Sequence, residues 1–286
     1  MTDTLQQGAE LLQRGDLAGP VTEVQVGKDA DFGHAGRSEA PRVRRATGKI
    51  RLALAGLLLG FASATATDRA AEWILLHRAA MGGAQRIEAL ASLRATGNVI
   101  VGAKRARFTL LAARPARIRL ETMAEGRLVA QGTDGVDPPW EADLAATPPR
   151  SSPMSRADAR TFAAESEFDD PLVGGGARGF VLEDAGHLEE DGKRWPRLLV
   201  TRPHTDPFHL ILDPVTFLIV RRLERRPTAL GRPTEVVTRY SDFRPVEGVL
   251  LPHVLEVVAD GRVAQRTEIE RIEPNPAPDP AVFRRP

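Results

Sequence analysis

The sequence predicts a mainly β protein, an antiparallel meander of about eleven strands with two helices ahead of it and one in its middle. Three observations carry this. From Ala71 to Leu93 the apolar residues recur at helical spacing, and from Val99 onward they recur every second position. The alternating segments are short, and turn residues such as Arg114-Pro115, Glu125-Gly126 and Asp134-Gly135 separate them. Asp191-Gly192 and Asp260-Gly261 read as hairpin turns, because both residues of such pairs tolerate the positive φ of a type I′ turn.

Taken in order, residues 1–48 show no apolar periodicity and hold nothing that could bury a core. They read as a non-structural extension. Either the start lies too far upstream, with Val43 as the candidate initiator, or the extension is genuine. Residues 49–66 have the form of a signal peptide. Arg44, Arg45, Lys49 and Arg51 supply a basic start, LALAGLLLGFA (52–62) an apolar run, and Ala64-Thr65-Ala66 an Ala-x-Ala cleavage site. The run is well short of the ~20 apolar residues that span a bilayer. The expectation is export to the periplasm with cleavage near Ala66, and one domain over residues 67–286.

Residues 68–92 read as two helices broken at Gly82-Gly83, through Ala71, Ile74, Leu75, Ala79, Ile87 and Leu90, with Leu93 following at the same spacing. Four strands follow in VIVG (99–102), RFTLLA (107–112), RIRLET (117–122) and RLVAQ (127–131). From Leu144 to Gly176 the pattern lapses: TPPRSSP reads as a loop and ADARTFAAESEF as one helix ending before DDPLVGGG. Seven strands then return, from GFVLED to RVAQRTEIERI. Alternation divides the strands into an apolar and a polar face. Val99, Val101, Phe108, Leu110, Ile118, Leu120, Leu128, Leu198, Val200, Phe208, Leu210, Leu212, Leu255, Val257 and Ile269 lie on one, and Arg107, Arg117, Arg119, Glu256, Arg266, Glu268 and Glu270 on the other. Three short helices are thin cover for so large an apolar face. Either the sheet curls on itself or something else fills the space.

Composition removes several function classes. Beyond residue 66 the basic and acidic residues balance, which gives no support for nucleic-acid binding. There is no cysteine, so disulfides, thiolate metal sites and cysteine nucleophiles are excluded. GGGARG (174–179) satisfies G-x-G-x-x-G, but a Pro-containing loop precedes it and a strand follows, the reverse of what phosphate binding requires. His204, Asp206 and His209 read as a Pro-flanked hairpin rather than a metal site. Glu165, Glu167, Asp169 and Asp170 read as a solvated helix end, and His77 and His253 as structural histidines. No cofactor, metal or catalytic constellation is expected.

Several stretches resemble the LolA-like family of outer-membrane lipoprotein-sorting proteins. MGGAQRIEALASLRATGNVIV (81–101) is similar to the family's opening, TDGVDPPWEAD (133–143) to its D-G…W segment, and HLILDPVTFLIVRR (209–222) to its Asp-Pro hairpin. RYSDFRPVEGVLLPHVLEV (239–257) is the most specific stretch, and IEPNPAPDPAVFRRP (272–286) resembles the usual ending. The resemblance implies an incomplete antiparallel β-barrel of about eleven strands wrapped over short helices, LolA/LolB-like, whose concave face holds acyl chains. The residues that would line that face are Val99, Val101, Phe108, Leu110, Ile118, Leu120, Leu198, Val200, Phe208, Leu210, Leu212, Leu255 and Val257, with Trp140 at a mouth and its N–H reaching water. Sheltering a carried chain at ~0.8 kcal/mol per CH₂ asks for roughly 12 kcal/mol over sixteen carbons, so breadth matters more than any one contact.

The implied function is a monomeric, non-catalytic periplasmic carrier that takes lipoprotein or lipid acyl chains from an inner-membrane donor to an outer-membrane acceptor. Residues 144–176 would be its lid. The alternative on the same fold is a protein-binding regulator of envelope stress.

Overall fold

The computed structural model describes residues 65–174, 179–202, 205–227 and 233–286. The proposed extension, the signal peptide up to residue 64, most of GGGARG and His204 lie outside the described residues. Helix α1 (Thr65–Ala80) and helix α2 (Ala84–Ala89) lead into six strands: β1 (Ser92–Val101), β2 (Lys104–Ala113), β3 (Arg117–Ala124), β4 (Arg127–Thr133), β5 (Trp140–Asp143) and β6 (Arg150–Pro153). Helix α3 (Arg156–Glu165) and the single turn α4 (Pro171–Gly174) follow. Seven more strands complete the sheet: β7 (Val181–Glu190), β8 (Lys193–Thr201), β9 (Phe208–Leu212), β10 (Ile219–Pro227), β11 (Pro233–Val246), β12 (Val249–Ala259) and β13 (Arg262–Pro274). A 3₁₀ turn (Pro280–Phe283) ends the described fold.

The strands form one antiparallel sheet in the order β6-β5-β4-β3-β2-β1-β13-β12-β11-β10-β9-β8-β7. Every neighbour in space is a neighbour in sequence except β1 and β13. The chain therefore works outward from the middle to one edge, crosses to the other edge, and works back. The crossing is made by residues 154–180. Met154, Phe162, Phe168, Leu172 and Phe180 of this segment are buried in one core cluster with Leu110, Ile118, Leu198 and Leu210 of the sheet. The apolar face is thus covered from within the chain, by α1 on one side and the crossing segment on the other. The sheet stays open, as expected, because β6 and β7 do not pair.

The sheet has thirteen strands rather than about eleven. The additional two, β5 and β6, pair Trp140 with Pro153 and Asp143 with Arg150. RSSP carries no apolar alternation because it forms the outermost strand, held by its backbone pairing with β5 and by Ser151 Oγ, which donates to Pro286 O at 2.7 Å. β1 also begins earlier than expected. Leu93 continues the helical spacing by coincidence, but helix α2 stops at Ala89 because groups distant in sequence take its last carbonyls. Arg114 donates to Ile87 O (2.7 Å) and Glu88 O (2.8 Å), and Asn275 Nδ2 donates to Ala89 O (3.1 Å). The β1–β13 ladder bulges at Thr96/Gly97. A Cβ on Gly97 would lie 2.0 Å from Glu268 O, so the close strand approach there requires glycine. The turns at Asp191-Gly192 (φ 51° and 71°) and Asp260-Gly261 (φ 49° and 73°) have the positive dihedrals their sequences call for.

Candidate functional site

A cavity of about 120 Å³ lies where α1, α2 and the crossing segment meet the inner face of β1 and β9–β12. That volume corresponds to on the order of ten water positions. Its floor is aliphatic and aromatic: Leu90, Leu93, Phe208, Leu210, Leu218, Tyr240 and Leu251. Its rim is ionic, with Arg114, Glu165, Glu167, Asp169, Asp170, Arg202, Arg222 and His77.

The rim is made by tertiary pairing. Arg114 Nη2 reaches Asp169 Oδ1 at 2.6 Å and Arg114 Nε reaches Oδ2 at 2.8 Å, a two-point clamp between β2 and the crossing segment. The same guanidinium lies 5.1 Å from the Phe168 ring. Arg202 donates to Ala164 O (2.8 Å) and approaches Glu167 at 3.8 Å. On the inner face of β10, Glu224 bridges Arg222 (2.9 Å) and Arg226 (2.6 Å), and Arg226 reaches Glu165 at the end of α3 (2.9 Å). Arg222 stacks 4.1 Å over Phe208, so its charge is sheltered by ring and carboxylate together. The acidic run of 165–170 is therefore not a solvated helix end. Each of its carboxylates meets a cation supplied from elsewhere in the chain, and Glu165 is buried.

His77, in the last turn of α1, is 2% exposed. Its Nδ1 is 2.9 Å from Phe217 O and its Nε2 is 3.3 Å from Asp170 Oδ2. Burial disfavours the charged ring, but the Asp170 charge, the bond to it and the Phe217 carbonyl outweigh burial and hold His77 above the ordinary histidine value. Burial likewise opposes the Asp170 carboxylate. The His77 charge and bond, with N–H donation from Leu172 and Val173, hold it below the ordinary range.

Among solved structures the fold is similar to a LolA superfamily protein from Nitrosomonas europaea (10% identity, TM-score 0.46), with 73% of this chain and 97% of that chain covered. It is also similar to a DUF1329 family protein from Desulfovibrio piger (11% identity, TM-score 0.48, 75% of this chain and 97% of that chain). A third is MucB in its complex with MucA from Pseudomonas aeruginosa (15% identity, TM-score 0.25), where 76% of this chain matches 60% of that one. No family model and no curated protein matches the chain by sequence.

Of the fourteen residues expected to line an acyl-binding face, Phe208 and Leu210 line the cavity. Val99, Phe108, Leu110, Ile118, Leu120, Leu198, Val200, Leu212 and Leu255 are buried in the core beneath the helices and crossing segment, and Val101 packs partly buried at its margin. Val257 is buried on the same face, paired with Gln265 and outside the main cluster. Trp140 departs from expectation. It pairs with Gly132, which pairs with Arg119, and this register places it on the outer face with Leu111 and Phe283. It is 2% exposed, and its N–H donates to Phe283 O (2.8 Å) rather than to water. Leu128 pairs with Met123 on the same outer face. The charged inner stripe Arg222-Glu224-Arg226 was missed, although it is written as a period-two alternation of opposite signs within RRLERR. Among the described residues no group of three or more His, Asp or Glu side chains could hold a metal ion, and no helix is long and apolar enough to cross a membrane.

Proposed function

We propose that this chain is a non-catalytic periplasmic binding protein that shelters an acyl chain of a lipoprotein or lipid and hands it on towards the outer membrane. The observation that carries the reading is the cavity: an apolar floor of Leu90, Leu93, Leu210, Leu218 and Leu251 under an ionic rim that balances its own charges. Such a site suits a ligand held by area rather than by a few polar contacts. The signal-peptide form of residues 49–66 and the family resemblance of the sequence support the periplasm as the compartment and the outer membrane as the direction of transfer. In this reading the crossing segment is both core and cover. Its aromatic residues complete the fold, and its 168–173 end forms one wall of the cavity.

The test is native mass spectrometry of protein purified from a Gram-negative periplasm, followed by uptake of NBD-palmitate. Leu210→Phe fills the cavity without charging it. Co-purified lipid or acylated peptide, with NBD-palmitate uptake weakened at least about tenfold in folded Leu210→Phe, is the expected outcome. A lipid-free mass with no uptake would show that the inner face is core alone.

A further inference from the structure

His77 sits where three separate parts of the chain meet at the cavity wall. It belongs to α1, Asp170 to the crossing segment, and Phe217 to the turn between β9 and β10. Both ring nitrogens face oxygens that can only accept: a backbone carbonyl at 2.9 Å and a carboxylate at 3.3 Å. A neutral imidazole carries one N–H and satisfies one of them; only the imidazolium donates to both. The carboxylate is in turn fixed by the N–H groups of Leu172 and Val173, both at Oδ1. The last turn of α1 favours a cation as well, because the aligned peptide dipoles place partial negative charge at the C-terminal end of the helix.

We propose that His77 is a pH-governed latch: as an imidazolium it ties α1 to the crossing segment and to the β9–β10 turn, and on losing its proton it releases the 168–173 wall of the cavity. With the remaining proton on Nδ1, the nitrogen with the shorter contact (2.9 Å to Phe217 O against 3.3 Å to Asp170), the deprotonated Nε2 presents a lone pair to the Asp170 carboxylate, and attraction becomes repulsion. On the elements packed against α1, these ionic groups are engaged elsewhere. Asp169 is clamped by Arg114, and Glu167 lies beside Arg202. Asp213 of the β9–β10 turn accepts from Val215 and Thr216. Arg222 of β10 pairs with Glu224, and Asp184 of β7 with Arg69. His187 of β7 stands edge-on to Trp73 at 5.6 Å; burial and the Arg194 charge hold it below the ordinary value, so its titration is separate from that of His77. The regulation of ligand exchange rests on the carrier reading, whereas the latch itself does not.

The experiment is hydrogen exchange at residues 168–173 of the ligand-free chain, corrected for intrinsic rates, alongside NMR titration of the His77 ring. Between about pH 6 and about pH 9, exchange should accelerate about tenfold with the midpoint of the imidazole. Folded His77→Gln should lose the step, and Asp170→Asn, which keeps an oxygen for Leu172 and Val173, should move it to lower pH. Flat wild-type protection while the ring titrates, or an unchanged step in both variants, overturns the latch. If NBD-palmitate binds, its release rate should rise with the same midpoint, and a rate that stays constant while the wall opens overturns the regulatory half. Failure of palmitate to bind at any pH counts against the carrier reading and leaves the latch to be decided by exchange.

Discussion

Gly132 shows how much one absent side chain can decide. A Cβ there would lie 2.5 Å from Trp140 Cζ2 and 3.0 Å from Ile118 O. The edge of the indole occupies the space a Cβ would need, with Arg119 at 5.6 Å from its ring. Gly132→Ala should lower stability by about 1–3 kcal/mol, read from the urea midpoint, because neither the indole nor the backbone can retreat. Ion pairs separate in the same way. Glu224 holds buried Arg222 and half-buried Arg226, so Glu224→Ala should cost about 3 kcal/mol. Glu189, which meets Arg194 at 3.8 Å in the open, should change stability by less than about 0.5 kcal/mol when replaced by alanine. Equal losses at both positions would contradict this distinction. The alternation of the sequence identified which residues are apolar and, for most strands, which face they share. It could not show that Trp140 and Leu128 stand on the other face, because one register relation across β3–β5 sets that, and no local period encodes it.

The element that matters most is the crossing segment. Its helix is locally encoded: Ser155 Oγ accepts from Asp158 N at 3.2 Å, an N-cap that any reader of S-R-A-D could anticipate. Its role is not. A loop of this length with one helix suggests a lid, yet Phe162 is 0% exposed and Leu172 is buried beside it. Phe162→Ala should therefore cost about 3–5 kcal/mol, as a core deletion does. Limited trypsin digestion should then cut after Arg156 or Arg160 faster than in the wild type. Equal stability and equal cleavage would show a lid resting on the surface. Helix α2 makes the complementary case. Its end is set by Arg114 and Asn275, far away in sequence, and so the boundary with β1 was illegible locally.

At the level of the whole molecule, the pairing of β1 with β13 brings the two halves of the chain together and leaves the crossing segment to span the open side. The three-way junction at His77 joins that span to α1, so its protonation should be felt as global stability. The raised His77 contributes fully below the ordinary imidazole value, about 6.5, and its contribution fades as pH rises through its folded value. The lowered Asp170 contributes fully above the ordinary carboxyl value, about 3.9, and its contribution fades as pH falls through its folded value. The pair therefore stabilises a window between the two limits. Thermal unfolding across pH should show Tm falling on the alkaline side in the wild type, and a flatter alkaline limb in His77→Gln. An identical alkaline limb would remove His77 from the account.

By itself the sequence determined the class of fold, the alternating faces, the hairpin turns and the likeness to LolA-like proteins, because period, turn chemistry and short motifs are local properties. Only the tertiary structure decided where the cavity lies, which of the apolar residues reach it, and that Glu165, Asp169, Asp170 and His77 form its paired rim. Those groups come together through strand order and through a segment that crosses the sheet. Contacts made by chain closure over long separations leave no periodic trace in the residues that make them.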